Sequence, residues 1–458
     1  MKLHSIYDID NFENLFSMEY IFNRKYKFLY GEVPTPPEII KKLIDNIPDY
    51  NFTNKNFKWL DAGCGRGYIS YFIYYKLLVS LRNQFNSDKE CSNHIIKNML
   101  YLIDINEENI DYLYSLFPYE SNIILDDFIS WNTDIKFDVI VTNPPYIVNG
   151  IKKVPSKMID KLEDGITLWP YFIKKSLTLL KKEGYLSTII PSIWMKKEND
   201  NFFLKDYEII SLYCYKNNET NKIFNGEAQT PTSLFVLQNK CRESKIRIYD
   251  KCFNRFVSLN PIESIPVFGS YVLKRLEPFL NKYGNIYNNV IKTNMPSKKI
   301  NFSQIKTDIY KYPNIKTCKL KDKVNPNLEI NYSDKPLPYY NEQKLILAHK
   351  MYGFPFLDLH GIYGISNRDN YIIINMSYTN LKRLKKFLES KLIFYIYEST
   401  RYRMKYLEKN AFEFVINITN ISDFPSDIND NSIFEYFKFT DDEIKKINDF
   451  SRTNYNRL

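Results

Sequence analysis

Residues 59–70 read WLDAGCGRGYIS and place three glycines between an apolar run and the start of a helical pattern. Asp61 lies inside the apolar run, and Gly63, Gly65 and Gly67 follow it at alternate positions. Glycines at such a junction let the backbone approach a ligand closely, and the N-terminus of the following helix favours polar or anionic groups. The spacing D-x-G-x-G-x-G differs from the G-x-G-x-x-G of dinucleotide-binding turns. The stretch predicts a ligand site at the end of a buried strand.

Strand-like and helix-like segments alternate around this turn across about residues 25–245. The predicted strands begin at Phe57, Met99, Asn122, Phe137, Gly184, Tyr207 and Thr232. Near-continuous apolar strands that alternate with helices are typical of a mostly parallel, doubly wound, Rossmann-like α/β sheet. No obvious helix separates the last two strands, which predicts an antiparallel edge. The first predicted domain is therefore residues 1–245.

The periodicity changes beyond residue 245, and residues 246–458 are predicted to form a second domain of the α+β class. Residues 251–340 are rich in Asn, Pro, Lys and Tyr, which predicts loops and short strands. The pattern over residues 380–398 predicts one long helix. Thr440, followed three positions later by Glu443, predicts a capping box at the start of a last helix.

Polar side chains end several of the predicted strands of the first domain. Asp104 is placed to accept hydrogen bonds from two ribose hydroxyls, and Asp127 and Phe128 are placed to bind the amino group and the face of an adenine. A single acid at a strand end is more often a cap or turn residue. Four successive strand ends, however, carry Asp61, Asp104, Asp127 and Asn143. Because ligands bind at the carboxyl edge of such sheets, these side chains predict one site.

The fourth strand runs into the tetrad NPPY, Asn143 to Tyr146. The Asn143 amide offers one acceptor and two N–H donors. Pro144 and Pro145 fix φ at about −65° and remove two backbone donors, so the turn is stiff and the Pro144 carbonyl is free. Tyr146 adds a flat aromatic face. This rigid cup suits a planar group that carries an NH2, such as a nucleobase or a carboxamide.

The glycine turn and the tetrad together resemble those of S-adenosylmethionine-dependent methyltransferases that act on planar nitrogens. GEVPTPPEII, residues 31–40, resembles motif X of the gamma group of N6-adenine DNA methyltransferases. In that group motif X comes first, then the glycine motif, the catalytic tetrad and a C-terminal target-recognition domain, and this chain has the same order. The resemblance implies a restriction-modification enzyme that methylates N6 of a flipped-out adenine.

The resemblance also implies a role for each motif residue. Asn143, Pro144, Pro145 and Tyr146 form the catalytic tetrad, and Tyr146 stacks on the flipped base. The implied cofactor residues are Thr35, Pro36, Asp61, Gly63, Gly65, Gly67, Asp104, Asp127 and Phe128. Thr35 and Pro36 are expected at the methionine end of the cofactor. Phe224 is expected to stack on the opposite face of the adenine, and a plain core position is an equal alternative.

Two other substrate classes stay open from the sequence. Protein-glutamine N5 methyltransferases share N-P-P-Y and act on a carboxamide, but they usually end soon after the sheet, whereas about 200 residues follow it here. An RNA base N-methyltransferase would use a similar pocket. Only about 30 residues of the sequence precede GEVPTPPEII, so we expect no fused nuclease ahead of it. The resemblance leaves open that the nuclease partner is a separate cognate restriction endonuclease.

Positive charge is concentrated in one segment of the chain. The formal net charge is +10, and residues 271–330 hold 12 Lys and Arg against 4 Asp and Glu, a difference of +8. Such a segment is either a solvated surface or a phosphate-binding patch, with equal weight. With the resemblance, it predicts binding to double-stranded DNA, and Lys298 and Lys299 are the expected contacts to the DNA backbone.

Cysteines and histidines do not form a metal-site pattern. The six cysteines contain no C-x-x-C pair, and the four histidines are dispersed, which predicts free thiols and no metal. The N-terminus lacks the apolar run of a signal peptide, and no stretch of about 18 apolar residues is present. We therefore expect a cytoplasmic, metal-free monomer without a membrane segment.

Overall fold

The computed structural model describes residues 24–149, 165–259, 264–320, 326–349, 355–402 and 407–455. The described chain divides into two compact units. One unit holds the described residues up to 249 except residues 195–198, and the other holds residues 195–198 and the described residues from 250 onward. The parts of the predicted domain 1–245 that fall before residue 24 or between residues 150 and 164 lie outside this description.

The first unit alternates helices and strands, as the sequence predicts. Its helices are α1 (Arg24–Tyr30), α2 (Pro37–Asp45), α3 (Tyr68–Leu81), α4 (Asp88–His94), α5 (Glu107–Leu116), α6 (Trp169–Leu179) and α7 (Asn217–Ile223). Its strands are β1 (Trp59–Ala62), β2 (Leu100–Asp104), β3 (Asn122–Leu125), β4 (Phe137–Thr142), β5 (Ile147–Val148), β6 (Ile166–Thr167), β7 (Leu180–Pro191), β8 (Tyr207–Tyr215), β9 (Thr232–Cys241) and β10 (Ile246–Asp250). All seven predicted strands of this unit are present.

Eight of these strands lie side by side in the order β10-β8-β9-β7-β4-β1-β2-β3. The neighbouring strands β7, β4, β1, β2 and β3 are all parallel to one another. The mixed α/β sheet is thus confirmed, but the position of its antiparallel strand was predicted wrongly. β9 lies between β7 and β8 and is antiparallel to both, so it is an interior strand. The sheet continues through β10, which is parallel to β8.

Buried apolar strands and amphipathic helices hold this unit together. Every residue of β1 and β4 is buried, as expected for central strands covered on both faces. Pro37 begins α2, where a proline costs no helical hydrogen bond and its fixed φ suits the first turn. Ile39, Ile40 and Leu43 of α2 then enter the same apolar core as Trp59 of β1. The T-P-P-E motif is therefore also the start of a packed helix.

The second unit combines two small sheets with a group of helices. Its strands are β11 (Arg255–Leu259), β12 (Val290–Lys292), β13 (Phe302–Ser303), β14 (Tyr312–Leu320), β15 (Pro326–Ser333), β16 (Lys344–Ala348), β17 (Phe356–Asp358), β18 (Gly364–Ile365) and β19 (Asn370–Ile373). Its helices are α8 (Ser270–Tyr283), α9 (Tyr378–Leu388), α10 (Lys391–Ser399), α11 (Asp430–Tyr436) and α12 (Asp441–Tyr455). One four-stranded sheet has the order β12-β19-β16-β17, and another has the order β13-β15-β14-β18. In these two sheets β14 and β18 are parallel, and the other pairs are antiparallel.

Three predictions for this unit can be compared with the structure. The capping box is confirmed, because the Glu443 carboxylate accepts from the Thr440 backbone N–H at 2.7 Å where α12 begins. The prediction of only loops and short strands over 251–340 was wrong, since the segment contains the 14-residue α8 and the long pair β14–β15. The single helix over 380–398 is two helices, because the Ser390 side chain caps a new helix at α10.

Candidate active site

The glycine turn lies between β1 and α3 with all three glycines at positive φ. The values are +70° at Gly63, +54° at Gly65 and +78° at Gly67, a region that residues with a Cβ rarely adopt. A Cβ at Gly67 would lie 2.4 Å from the Leu113 side chain, so this glycine serves the packing of α3 against α5. A Cβ at Gly65 would have only the Glu32 carboxylate within 4 Å, at 3.9 Å. Gly65 is therefore the position where the turn is open beside an acidic group.

Asp61 is fully buried at the end of β1. One carboxylate oxygen accepts a hydrogen bond from the Ser70 hydroxyl at 2.6 Å, and the other has no hydrogen-bond partner. Burial raises the pKa of Asp61 from 3.8 to about 7, partly opposed by the bonds from Ser70. A buried carboxylate with an unsatisfied oxygen is costly, so this group is suited to meet a donor or a cation from a ligand.

Asp104 ends β2 and is held in a fixed orientation. Its Oδ2 accepts from the Gly65 backbone N–H at 2.8 Å, and its Oδ1 accepts from the Asn106 N–H at 2.9 Å and from the Asn109 amide at 3.2 Å. Burial raises the pKa of Asp104 in spite of these donors. The carboxylate therefore links the second strand directly to the open part of the glycine turn.

Glu32 and Asn109 belong to this cluster, although sequence reasoning missed both. The Asn109 amide nitrogen lies 3.2 Å from the Glu32 carboxylate and 3.2 Å from Asp104, so it bridges two acids. Burial is the main cause that raises the pKa of Glu32, and the charge of Asp104 adds to it. The Asn109 carbonyl oxygen and the Asn106 amide nitrogen are buried without partners. The only available signal was the place of Glu32 inside GEVPTPPEII.

Asp127 and Phe128 follow β3, as predicted, but their contacts differ. Asp127 accepts from the Ile129 N–H at 3.0 Å and from the Ser130 hydroxyl at 3.2 Å, which is the cap or turn alternative for a strand-end acid. Phe128 is buried, and its ring centroid lies 5.0 Å from that of Phe172. The Phe172 ring would also meet a Cβ at Gly63 at 3.3 Å. Phe172, absent from the prediction, therefore connects Phe128 to the glycine turn.

The NPPY turn follows β4 at the same edge of the sheet. The Thr142 hydroxyl donates to the Ala62 carbonyl at 2.7 Å, which ties the end of β4 to the end of β1. The Asn143 amide nitrogen donates to the Thr35 hydroxyl at 2.9 Å. Gly31, at φ +69°, lies so close to the turn that a Cβ would come within 2.6 Å of the Ile147 carbonyl oxygen. The motif X segment and the tetrad are therefore packed directly together.

Tyr146 is held by one hydrogen bond at its tip. Its hydroxyl donates to the Ile189 carbonyl of β7 at 3.2 Å, and burial raises its pKa above the ordinary value for tyrosine. The phenol is therefore neutral at physiological pH. Its ring is fixed at the strand end while part of the residue stays exposed. A ring held in this way can present a π face.

The remaining predicted site residues lie at two other places. Phe224 follows α7 and is 4% exposed within the apolar core of the first unit. Its predicted stacking role stays a prediction. Lys298 and Lys299 are exposed in a turn of the second unit. Their predicted DNA contacts are likewise not tested by these positions.

Among the described residues, no group of three or more His, Cys, Asp or Glu side chains could hold a metal ion. Cys64 lies in the glycine turn, and its burial with the nearby Asp104 charge raises the pKa of its thiol well above the ordinary value. None of the described helices combines the length and the apolar character that crossing a membrane requires.

Comparison with known proteins matches the part of the chain that contains these residues to a described family. Residues 38–224 match the model of a family described as Eco57I restriction-modification methylase. These residues contain the glycine turn, the strand-end acids and the tetrad. They form a methyltransferase domain of the restriction-modification type. The sequence prediction of this class is thereby confirmed for this part of the chain, which is less than half of its length.

The methyltransferase domain is similar to several characterised enzymes. The chain is 25% identical over 270 residues to the Type II methyltransferase M.BstVI of Geobacillus stearothermophilus, which covers 52% of this chain and 46% of that protein. It is 34% identical over 71 residues to a tRNA1(Val) (adenine(37)-N6)-methyltransferase of Bacteroides thetaiotaomicron, covering 15% and 30%. It is 25% identical over 203 residues to the release factor glutamine methyltransferase of Buchnera aphidicola, covering 40% and 62%. The chain thus spans less than half the length of M.BstVI.

S-adenosylmethionine is the cofactor of this class of methyltransferase domain. The residues present fit it. The cofactor carries a sulfonium and an ammonium cation. Glu32 and Asp104 border the open side of the glycine turn, and the unpaired oxygen of Asp61 lies near the end of β1, the strand that leads into this turn. Its hydroxyl donors also match the unpaired Asn109 carbonyl. Glu32, Asp61, Asp104 and Asn109 are therefore the residues of this chain that would hold it.

Proposed function

We propose that the protein is a site-specific DNA methyltransferase that acts on the N6 amino group of an adenine flipped out of double-stranded DNA. The orientation of the Asn143 amide carries this proposal. Because its nitrogen donates to Thr35, the carbonyl oxygen on the opposite side of the planar amide is the group left to accept from a substrate. The rigid prolines add the Pro144 carbonyl as a second acceptor.

Two acceptors suit the chemistry of an aromatic amino group. Adenine N6 is a weak nucleophile because its lone pair is delocalised into the ring. When the Asn143 and Pro144 carbonyls accept its two hydrogens, a pyramidal nitrogen with a localised lone pair is favoured. When bound, S-adenosylmethionine supplies an electrophilic methyl group on sulfur. One well-aimed hydrogen-bonding group contributes about 3–4 kcal/mol to transition-state stabilisation in other enzymes.

The protein needs no covalent nucleophile for this reaction. The Cys64 thiol is buried, and its raised pKa keeps it neutral. The Tyr146 phenol is neutral for the same reason. A base inside a duplex cannot reach such a cup, so we expect base flipping, with the Tyr146 ring replacing part of the lost stacking. Base–aromatic stacking of about 1–3 kcal/mol is comparable to the cost of unstacking.

Double-stranded DNA is the proposed substrate because the basic segment of the second unit follows a domain of the restriction-modification type. The M.BstVI relative is named a Type II methyltransferase, a class consistent with this proposal. We expect the protein to act as a monomer, with a separate cognate restriction endonuclease as its partner.

The test uses the full chain, purified S-adenosylmethionine with a labelled methyl group, and three substrates in separate reactions. These are mixed-sequence duplex DNA, total tRNA and a peptide release factor. We expect label in the DNA alone, recovered as N6-methyladenine after digestion to nucleosides. The Asn143→Ala variant should bind the cofactor and transfer no methyl group. Label confined to tRNA or to the release factor would refute the proposal in favour of the RNA or protein-glutamine class.

A further inference from the structure

A short loop of the second unit, Gln304 to Lys311, joins β13 to β14. The Thr307 N–H donates to the Tyr310 carbonyl at 3.2 Å, and the Tyr310 N–H donates to the Thr307 hydroxyl at 3.0 Å. At its base, the Ile305 N–H donates to the Ser303 hydroxyl at 3.1 Å. These bonds fix the tip of the loop in one conformation.

The loop presents two isoleucines to solvent. Ile305 is 73% exposed and Ile309 is 69% exposed, the highest values among the aliphatic side chains of the described residues. Ile305 precedes the Thr307–Tyr310 turn, and Ile309 lies within it. Large apolar side chains that are this exposed on one short loop are characteristic of interaction surfaces. Neither side chain is buried in an apolar core.

Positive charge flanks the two isoleucines along the sequence. Residues 291–316 contain six lysines and one acid, Asp308, a net charge of +5. All six are exposed: Lys292, Lys298, Lys299, Lys306, Lys311 and Lys316. Lys306 lies directly between the two isoleucines in sequence, and Lys311 follows them with its ammonium 5.3 Å from the centre of the Tyr312 ring. A partner that is anionic and also offers apolar surface would match this segment.

We propose that the loop is a DNA wedge, in which Ile305 and Ile309 contact base pairs of the duplex while the neighbouring lysines bind phosphates. This inference rests on the proposed DNA substrate. Duplex DNA combines a dense row of phosphates with apolar base faces, and proteins that deform it insert isoleucine, leucine or phenylalanine between base steps. Charge complementarity and the restriction-modification type of the first unit select DNA over other anionic surfaces.

The wedge has a binding signature that phosphate contacts lack. Replacing the isoleucines removes apolar contact and no charge, so affinity should fall while the salt dependence of binding stays the same. Replacing lysines removes phosphate contacts, so the slope of log affinity against log salt should become shallower by about 0.9 per lost contact. The two effects can be separated in one set of titrations.

The experiment measures binding of a fluorescein-labelled mixed-sequence duplex to the full chain by anisotropy at several salt concentrations. Ile305→Ser with Ile309→Ser should weaken binding about tenfold or more at every salt concentration, with an unchanged slope. Lys306→Gln with Lys311→Gln should lower the slope. Val79→Ser, on α3 of the first unit and 47% exposed, is the matched control for lost apolar surface and should bind like the parent. Thermal midpoint and cofactor affinity should stay constant throughout.

The outcomes distinguish this inference from the proposed function. A parent protein that neither binds nor methylates duplex DNA overturns both. A parent that methylates DNA, with an isoleucine variant that binds as tightly, overturns the wedge alone. The wedge is also overturned if the isoleucine substitutions leave DNA binding intact but abolish binding to phosphatidylserine vesicles or self-association in ultracentrifugation.

Discussion

The Asn143 amide nitrogen lies 2.9 Å from the Thr35 hydroxyl oxygen, so a residue of the motif X segment orients the amide of the NPPY tetrad. Three residues earlier, Glu32 accepts from Asn109, which also donates to Asp104. A single segment therefore contributes the acid Glu32 beside the glycine turn and contacts the amide at the end of β4 through Thr35. The position of the motif X segment ahead of the glycine turn in the sequence does not predict these two contacts. They arise because the segment runs along the carboxyl edge of the sheet.

Substitution of Thr35 distinguishes a role in orienting the Asn143 amide from a role in binding the cofactor. Thr35→Val keeps the shape of the side chain and removes the hydroxyl, so the Asn143 amide loses its orienting partner. We expect methyl transfer under saturating substrates to fall about 5- to 30-fold, which corresponds to about 1–2 kcal/mol. Thr35→Ser should restore most of the rate. Calorimetry should give an unchanged cofactor affinity for Thr35→Val; a large loss of affinity would instead support the predicted contact with the methionine end of the cofactor.

Asp104 should be the strongest single contributor to cofactor affinity. Asp104→Ala removes a charged acceptor that the Gly65 N–H and the Asn109 amide hold in place. We expect the affinity to fall by about 1.5–3 kcal/mol, measured by calorimetry. Glu32→Gln, which keeps a carbonyl acceptor for Asn109, is the matched variant and should weaken binding less. Equal affinities for the parent and Asp104→Ala would contradict the assignment of this acid to the cofactor.

The buried Asp61 predicts a pH dependence of folding. Its pKa is raised from 3.8 to about 7, so its contribution to stability is fully present below about pH 4 and is lost as pH rises through about 7. We expect the free energy of unfolding of the cofactor-free protein to decline between about pH 4 and pH 7, with an upper limit of about 4 kcal/mol from this group. Urea titrations should show a flatter profile for Asp61→Asn. Identical profiles would mean that other groups, such as Asp104 and Glu32, carry the dependence.

Periodicity was sufficient to predict the strands of the first unit, because each is a short apolar run between turn residues. Strand order is a different kind of information. β9 pairs with both β7 and β8, whereas the sequence prediction overlooked the helix α7 between β8 and β9 and therefore expected a simple edge hairpin. The helix α8 was missed because its sequence contains Pro278 and its apolar stripe is short. The break between α9 and α10 depends on one capping serine, Ser390, inside a continuous amphipathic pattern.

The candidate site was predictable where chemistry and local structure coincide. Asp61, Asp104 and Asn143 lie at the ends of strands that the sequence already indicates. Because the carboxyl ends of parallel strands meet at one edge of the sheet, the sequence also predicts that these side chains lie at the same edge. Asn109 was not predictable, because it lies on α5 among ordinary helix residues and acquires its role only when Glu32 and Asp104 approach it. Phe172 was missed for the same reason. Residues that bridge elements distant in sequence require the packed structure.

Lys298 and Lys299 should contribute to DNA binding without sequence preference. Both side chains are exposed in a turn of the second unit. Replacing both by Gln should weaken binding to every duplex alike and make the salt dependence shallower by about 0.9 per lost phosphate contact. Anisotropy titrations against two unrelated duplexes provide the measurement. Unchanged affinity and slope would remove these lysines from the DNA contact surface and leave the solvated-surface interpretation.

Tyr146 should act through its ring and not through its hydroxyl. The hydroxyl donates to the Ile189 carbonyl, so Tyr146→Phe should cost stability by about 1 kcal/mol and retain much of the methylation rate. Tyr146→Ala removes the π face that stacks on the flipped base, which is worth about 1–3 kcal/mol, so the rate and the trapping of the base should both fall. Once the methylated sequence has been mapped, 2-aminopurine at the target position reports flipping by its fluorescence, and Asn143→Ala serves as a control that flips without methylating. If Tyr146→Ala flips and methylates like the parent, the ring has no stacking role and Asn143 with the Pro144 carbonyl must hold the base without it.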